Sequence, residues 1–129
     1  MPAQFWIFLG AVSGGLAVIA GAIGAHALSG ADDALMQAYR TAQVNHAIHS
    51  VALLAVGLLL LHTQGRGAGF AGIALQAAAA AFAIGIVLFS GGIYAHAAGL
   101  AFKKEVPVGG MFLIAGWAAL AIGSLGLRA

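Results

Sequence analysis

The chain has 129 residues, of which 63% are hydrophobic and only 6% charged, with a mean hydropathy of +1.06; ordinary soluble domains carry about 25% charged residues, so a water-soluble fold is excluded. The net charge of +2 and the isoelectric point near 9.5 rest on five basic residues, which are not clustered as a nucleic-acid footprint requires. Cysteine is absent, which excludes disulfides, thiolate nucleophiles and thiolate-bound metal clusters.

Uncharged tracts run over Met1–Ala31, Thr41–Gly65, Gly67–Phe102 and Val106–Leu127. Each exceeds the roughly 20 residues that cross hydrocarbon as a helix. The expected fold is therefore all-α: a polytopic membrane protein with four transmembrane helices in a glycine-rich bundle, one domain over 1–129, with helices at about 5–28, 32–62, 69–99 and 107–127. The first segment has no basic n-region, and its apolar run is longer than the 7 to 15 residues or so of a secretory signal. It is expected to be a retained helix. Along it Gly10, Gly14, Ala17, Gly21 and Gly24 recur at alternating steps of four and three, a seam of small residues that lets a neighbouring backbone approach. Ser13 and His26 are its strongly polar side chains, with His26 near the interfacial end.

The link SGADD at Ser29–Asp33 offers Gly30 as a helix C-cap and Asp32 or Asp33 as a new N-terminus. The 31 residues from Asp32 to His62 would make a helix of about 46 Å, against a hydrocarbon core of roughly 30 Å. Its first part, Asp33 to Gln43, must then be an interfacial extension, with Leu35 and Met36 turned inward and Arg40 toward headgroups or water. Tyr39 reads there as an interfacial aromatic-belt residue, with a partner contact as the alternative. Asn45, His46 and His49 sit where the apolar run begins, and Asn45 and His49 share a helical face.

Thr63–Gly69, reading TQGRGAG, is a polar turn. Gly67–Phe102 as one straight helix would be about 54 Å, too long for a simple crossing. A bend is expected at Ser90, Gly91 and Gly92, with Ser90 bonding its own backbone. Gly85, Gly92 and Gly99 keep a seven-residue spacing that suits a second packing seam. After the charged Lys103, Lys104 and Glu105, Pro107 opens the last helix, where a missing N–H costs little. Gly109, Gly116, Gly123 and Gly126 repeat the seam there, and Trp117 adds bulk. The basic residues nearly balance across the membrane, with Arg66 and Arg128 on one side and Arg40, Lys103 and Lys104 on the other. Asp32, Asp33 and Glu105 fall on the second side, which favours both termini in the cytoplasm.

GAIGAHAL at Gly21–Leu28, FSGGIY at Phe89–Tyr94, and PVGG followed by GW within Pro107–Trp117 together resemble the YgdD-like family. Its members are small four-helix bacterial inner-membrane proteins, catalogued as a domain of unknown function and with eukaryotic relatives. The resemblance implies an inner-membrane location with both termini inside, and puts weight on His26, His49, Ser90, Tyr94, Pro107, Gly109, Gly110, Gly116 and Trp117, as well as Phe89 and Gly91. His46 and His96 lie where the family implies no fixed histidine. Asn45 replaces an expected aromatic, and Val106 an expected threonine. No reaction, substrate or cofactor comes with the resemblance.

Three functions compete. A metal or haem site would draw on His26, His46, His49 and His96, which the four-helix order puts on one membrane side; His46 and His49 are three apart, however, and no carboxylate lies at their depth. A transporter or channel for protons, ions or small molecules would use the histidines as a relay, but no acidic residue is embedded in a spanning run. The expected role is a structural or accessory membrane protein packing against helices of a partner or of further copies. The candidate polar site comprises His26, Tyr39, Asn45, His46, His49, Ser90, Tyr94 and His96. The packing positions are Gly10, Gly14, Gly21, Gly24, Gly85, Gly92, Gly109, Gly116 and Gly123. With no carboxylate pair, nucleophile and base, or phosphate loop, catalysis is not expected, and the cofactor is left open.

Overall fold

The computed structural model describes residues 1–63, 69–101 and 104–127. Four helices run through them: α1 (Ala3–Ala27), α2 (Asp33–Thr63), α3 (Phe70–Ala97) and α4 (Glu105–Ser124). Each is long and apolar enough to cross a membrane. There is no strand among the described residues. Most of the expected turn at 63–69, with Arg66, lies outside them, as do Lys103 and Arg128.

The helix ends follow from local chemistry. α1 starts at Ala3 rather than near Phe5 because Pro2, extended at φ −67°, serves as its N-cap, and the Phe5 N–H bonds the Pro2 carbonyl at 3.1 Å. After Ala27 the chain turns through Gly30, whose φ of +100° lies in the left-handed region that favours glycine. Asp32, not Asp33, caps α2, its Oδ1 accepting the Ala34 N–H at 2.8 Å. α2 then continues unbroken for 31 residues. Leu35 and Met36 are half-buried and Arg40 is exposed, as the interfacial extension requires.

α3 is continuous but irregular, winding as a π-helix over Ile86–Gly91, which overlaps the expected weak point. It stops at Gly99, at φ +86°, where the Leu100 N–H reaches back to the Ala95 carbonyl at 2.9 Å. Gly99 is thus a stop signal and not a third member of the Gly85 and Gly92 seam. Pro107 falls within the first turn of α4, which begins at Glu105, so the N–H it lacks has no helical acceptor to lose.

α1 packs along α2 and α4 along α3, while α2 and α3 join the two pairs. Leu53, Val56, Leu75, Ala78, Ala79 and Phe82 are fully buried where the pairs meet. Large apolar side chains such as Phe8, Val18, Val87, Met111 and Ile114 point outward, a surface suited to lipid. The glycine seams make the close approaches. A Cβ on Gly10 would lie 2.7 Å from the Leu54 amide nitrogen, and one on Gly57 would lie 2.8 Å from that of Ile7. On the other pair, Gly109 rests on the α3 backbone at Phe89, Gly85 on Leu113, Gly116 on the Phe82 ring and Gly123 against Ala74 and Leu75. Gly14, Gly21, Gly24 and Gly92 face Ser50, Gln43, Tyr39 and Val106 of the same chain. The smooth faces read from the sequence are used internally.

Overpacking a tight helix contact costs about 1–3 kcal/mol. Gly57→Ala and Gly10→Ala should each lower thermal stability in detergent by an amount in that range. Gly15→Ala, whose added Cβ meets nothing within 4 Å, should leave it unchanged or slightly raised. Equal melting temperatures for all three would refute the assignment of the α1–α2 seam.

Candidate functional site

α2 carries the polar centre of the molecule. Within hydrocarbon a buried polar group must find its partner inside the protein, and His46 finds two. Its Nε2 lies 3.1 Å from Ser13 Oγ on α1, and its Nδ1 lies 3.3 Å from the Tyr94 hydroxyl on α3. Ser13 Oγ is also 2.7 Å from Ser50 Oγ, and Ser50 donates to the His46 carbonyl at 2.7 Å. These partners fix the direction of every bond. A carbonyl only accepts, so Ser50 has used its proton and Ser13 must donate to Ser50. Ser13 can then only accept from His46, which puts the imidazole proton on Nε2. The bare Nδ1 accepts the Tyr94 hydroxyl proton. The chain runs one way, from Tyr94 through His46 and Ser13 to Ser50, and closes on the backbone of its own helix.

His49 is held in the opposite tautomer. The Trp117 indole, a donor only, gives its Nε1–H to His49 Nε2 at 3.0 Å, so that nitrogen is bare. The proton sits on Nδ1, which donates to the Asn45 carbonyl at 2.7 Å. Phe82 completes the setting, its ring edge-on to Trp117 at 5.2 Å between centroids and 5.7 Å from the His49 ring. This bond ties α2 to α4, which otherwise packs along α3.

The remaining sequence-predicted residues divide between ties and surface. Tyr39 is buried, donates to the Ala20 carbonyl at 2.7 Å, and lays its ring 4.9 Å from that of Tyr94. It is an α1–α2 tie and not an interfacial belt residue, because Gly24 leaves room for its ring against α1. Ser90 bonds the Ala42 carbonyl of α2 at 2.9 Å and not its own backbone, since both residues are buried where α2 and α3 touch. Asn45 shares the expected face with His49, but its carboxamide turns back to the Thr41 carbonyl at 2.9 Å. His26 and His96 are exposed.

The four histidines are therefore not assembled as ligands, and no group of three or more metal-holding side chains is found among the described residues. Both nitrogens of His46 and of His49 are committed to hydrogen bonds, so neither has a spare lone pair for a metal. Sequence reading left Ser13, Ser50, Trp117, Trp6 and Gln76 out of the site, although it noted Ser13 as a polar side chain of the first helix and Trp117 for its bulk and its place in the family pattern. Trp6 donates to the Gln76 carboxamide oxygen at 2.8 Å, which links α1 to α3. Only Ser50 had a local signal, its i, i+4 spacing from His46.

Two adjoining cavities lie between α1 and α3, of about 310 and 490 Å³, and share Leu16, His46 and Tyr94. Their walls are otherwise almost wholly apolar. Val12, Ile19, Ile23 and Val87 line them and are themselves exposed, so the cavities open sideways from the bundle.

The family described as "Protein of unknown function (DUF423)" matches residues 20–110. The chain is 32% identical to the UPF0382 inner membrane protein YgdD of Escherichia coli (strain K12), with 99% of this chain and 95% of that protein covered. It is 33% identical to a UPF0382 membrane protein of Staphylococcus epidermidis, covering 95% and 96% of the two chains. For a UPF0382 membrane protein of Haemophilus influenzae the identity is 34%, with 92% of each chain covered. No solved structure gives a significant match.

Interhelical hydrogen bonds in membrane proteins contribute about 0.6 kcal/mol on average and up to about 1.7. A double-mutant cycle of Trp117→Phe and His49→Leu, read by unfolding in detergent, should give a coupling of about 0.5–1.5 kcal/mol. Additive effects would mean that the indole does not bond His49.

Proposed function

We propose that this chain, which belongs to the DUF423 family, is an accessory protein that works by packing against other membrane helices and not by catalysis. It is a small multi-pass integral membrane protein, and its surroundings are the lipid bilayer. The bacterial inner membrane, with both termini inside, is the location proposed for it; YgdD of Escherichia coli carries the name of an inner membrane protein.

One observation carries this reading: the use made of the buried polar groups. His46, His49, Ser13, Ser50 and Ser90 each bond another group of the same chain. A nucleophile or general base needs a reactive atom directed at a substrate, whereas these atoms hold helices together. A proton or ion relay needs a path across the membrane, whereas this chain of bonds closes on the α2 backbone. What the molecule presents outward is chiefly shape and apolar surface.

On that surface α1 packs mainly on α2 and is no more enclosed by its own chain than α4. The outer side of α1 carries Ala11, Gly15 and Ala22, all exposed, and Gly15 has no neighbour within 4 Å of an added Cβ. Ala11 and Gly15, four apart, with Ala22 two turns further along, form a small-residue patch that lets a second helix approach closely. Gly15→Leu should therefore leave the thermal stability of the isolated chain unchanged while abolishing co-purification of a partner or of a second, differently tagged copy after mild extraction. Recovery of the same associates by the variant would contradict packing through this face; the wild type emerging as a lone chain would contradict the accessory role.

A further inference from the structure

We infer that the cavities between α1 and α3 form one binding site for a long-chain membrane alcohol, whose hydroxyl donates to the phenol oxygen of Tyr94. This assignment stands apart from the packing face on α1, since its wall residues Val12, Leu16, Ile19 and Ile23 lie roughly a quarter to a third of a turn around that helix from Ala11, Gly15 and Ala22.

The shape suits a lipid chain. From Leu9 to Ile23 the α1 wall extends about 21 Å at 1.5 Å per residue, more than half of a hydrocarbon core of about 30 Å. The volumes of about 310 and 490 Å³ fall in the range of small-molecule pockets, about 300–1,000 Å³. Exposed wall residues leave the site open to the bilayer, so a lipid enters sideways without passing through water.

The headgroup chemistry follows from the directed hydrogen bonds. Four polar side chains line the two cavities, Ser13, Tyr39, His46 and Tyr94, and each already has a use for its proton. Ser13 gives its proton to Ser50, Tyr39 to the Ala20 carbonyl, His46 Nε2 to Ser13, and Tyr94 to His46 Nδ1. The phenol oxygens keep lone pairs, so the site has acceptors to offer and no uncommitted donor. An ester, ether or quinone carbonyl would have to take the Tyr94 proton and strip His46 Nδ1 of its donor, a buried loss. A hydroxyl needs no such exchange: it donates to the Tyr94 oxygen and extends the existing chain by one bond.

The backbone at the same place points to a ligand independently. The π-helical turn Ile86–Gly91 contributes Ile86, Val87 and Gly91 to the wall, and π-turns inside helices concentrate at functional sites. Gly91 is open toward the cavity: a Cβ there would meet only the Ile86 carbonyl oxygen, at 3.9 Å. A side chain at this position therefore fills the site without disturbing the helix contacts.

The test uses native mass spectrometry of the full-length protein in detergent, titrated with hexadecan-1-ol and with hexadecyl methyl ether, which accepts hydrogen bonds but cannot donate. One alcohol should bind per chain, and the ether should bind about tenfold more weakly, the value of one hydrogen bond. Tyr94→Phe combined with His46→Leu, which removes the phenol oxygen together with the bare Nδ1 that would replace it as acceptor, should bind alcohol and ether alike, at the weaker level. Gly91→Leu should bind neither, with circular dichroism confirming that it keeps the helices. Absence of alcohol binding, equal affinity of the wild type for alcohol and ether, or stoichiometric alcohol on Gly91→Leu would each overturn the site. The wild-type comparison of the two ligands decides the matter even if a variant fails to fold.

Discussion

A protein in hydrocarbon has no water to satisfy its interior polar groups, and each must be matched by another group of the chain. That constraint falls hardest on His46 and His49, which α2 carries into the middle of the bundle three residues apart. Three residues set their side chains about 60° apart around a helix of 3.6 residues per turn and about 4.5 Å apart along it, enough for them to meet different neighbours. His46 addresses α1 and α3 through Ser13 and Tyr94, and His49 addresses α4 through Trp117. One helix thereby holds the other three in register. The two rings meet opposite demands, one surrounded by hydroxyls and the other placed between an indole N–H and a carbonyl, and they take opposite tautomers.

Hydrogen bonds of this kind form only if the backbones come close enough, and the glycines provide that. Gly10 and Gly57 bring α1 against α2, which places Ser13 within reach of His46 and Ser50. Gly109 lets α4 rest on the α3 backbone, and Gly116 makes room for the Phe82 ring beside Trp117. Lipid tails are as apolar as the helix surfaces, so close packing and hydrogen bonding, not exclusion of water, drive helices together here. Seam and network are two parts of one device. Where the seam is absent, between α1 and α3, the bundle stays open and the polar chain borders a cavity.

The four spans were legible because hydrophobic tracts of that length have few other uses, and the spacing of Gly10, Gly14, Gly21 and Gly24 already marked a packing face. Asp32 and Asp33 were interchangeable as caps on residue type alone; the turn set by Gly30 decides for Asp32. Gly99 kept the rhythm of a seam but belongs to a helix stop, since spacing does not report backbone conformation. The site was read in part. Spacing placed His49 near Asn45, and the family resemblance singled out Trp117, yet the two meet across 68 positions of sequence, which no local pattern encodes. Ser90 and Tyr39 were assigned local or interfacial roles because their acceptors, the carbonyls of Ala42 and Ala20, are backbone groups that leave no trace in residue type.

Directed, closed hydrogen bonding at the centre of the bundle is the claim on which both the accessory role and the lipid site depend. The most direct test is solid-state nitrogen NMR of the protein in bilayers with its histidines labelled at both ring positions, and with His46 and His49 assigned by substitution. The account predicts two neutral rings of opposite kind, with the proton on Nε2 in His46 and on Nδ1 in His49. The same tautomer in both rings, or a charged imidazolium at either, would contradict it.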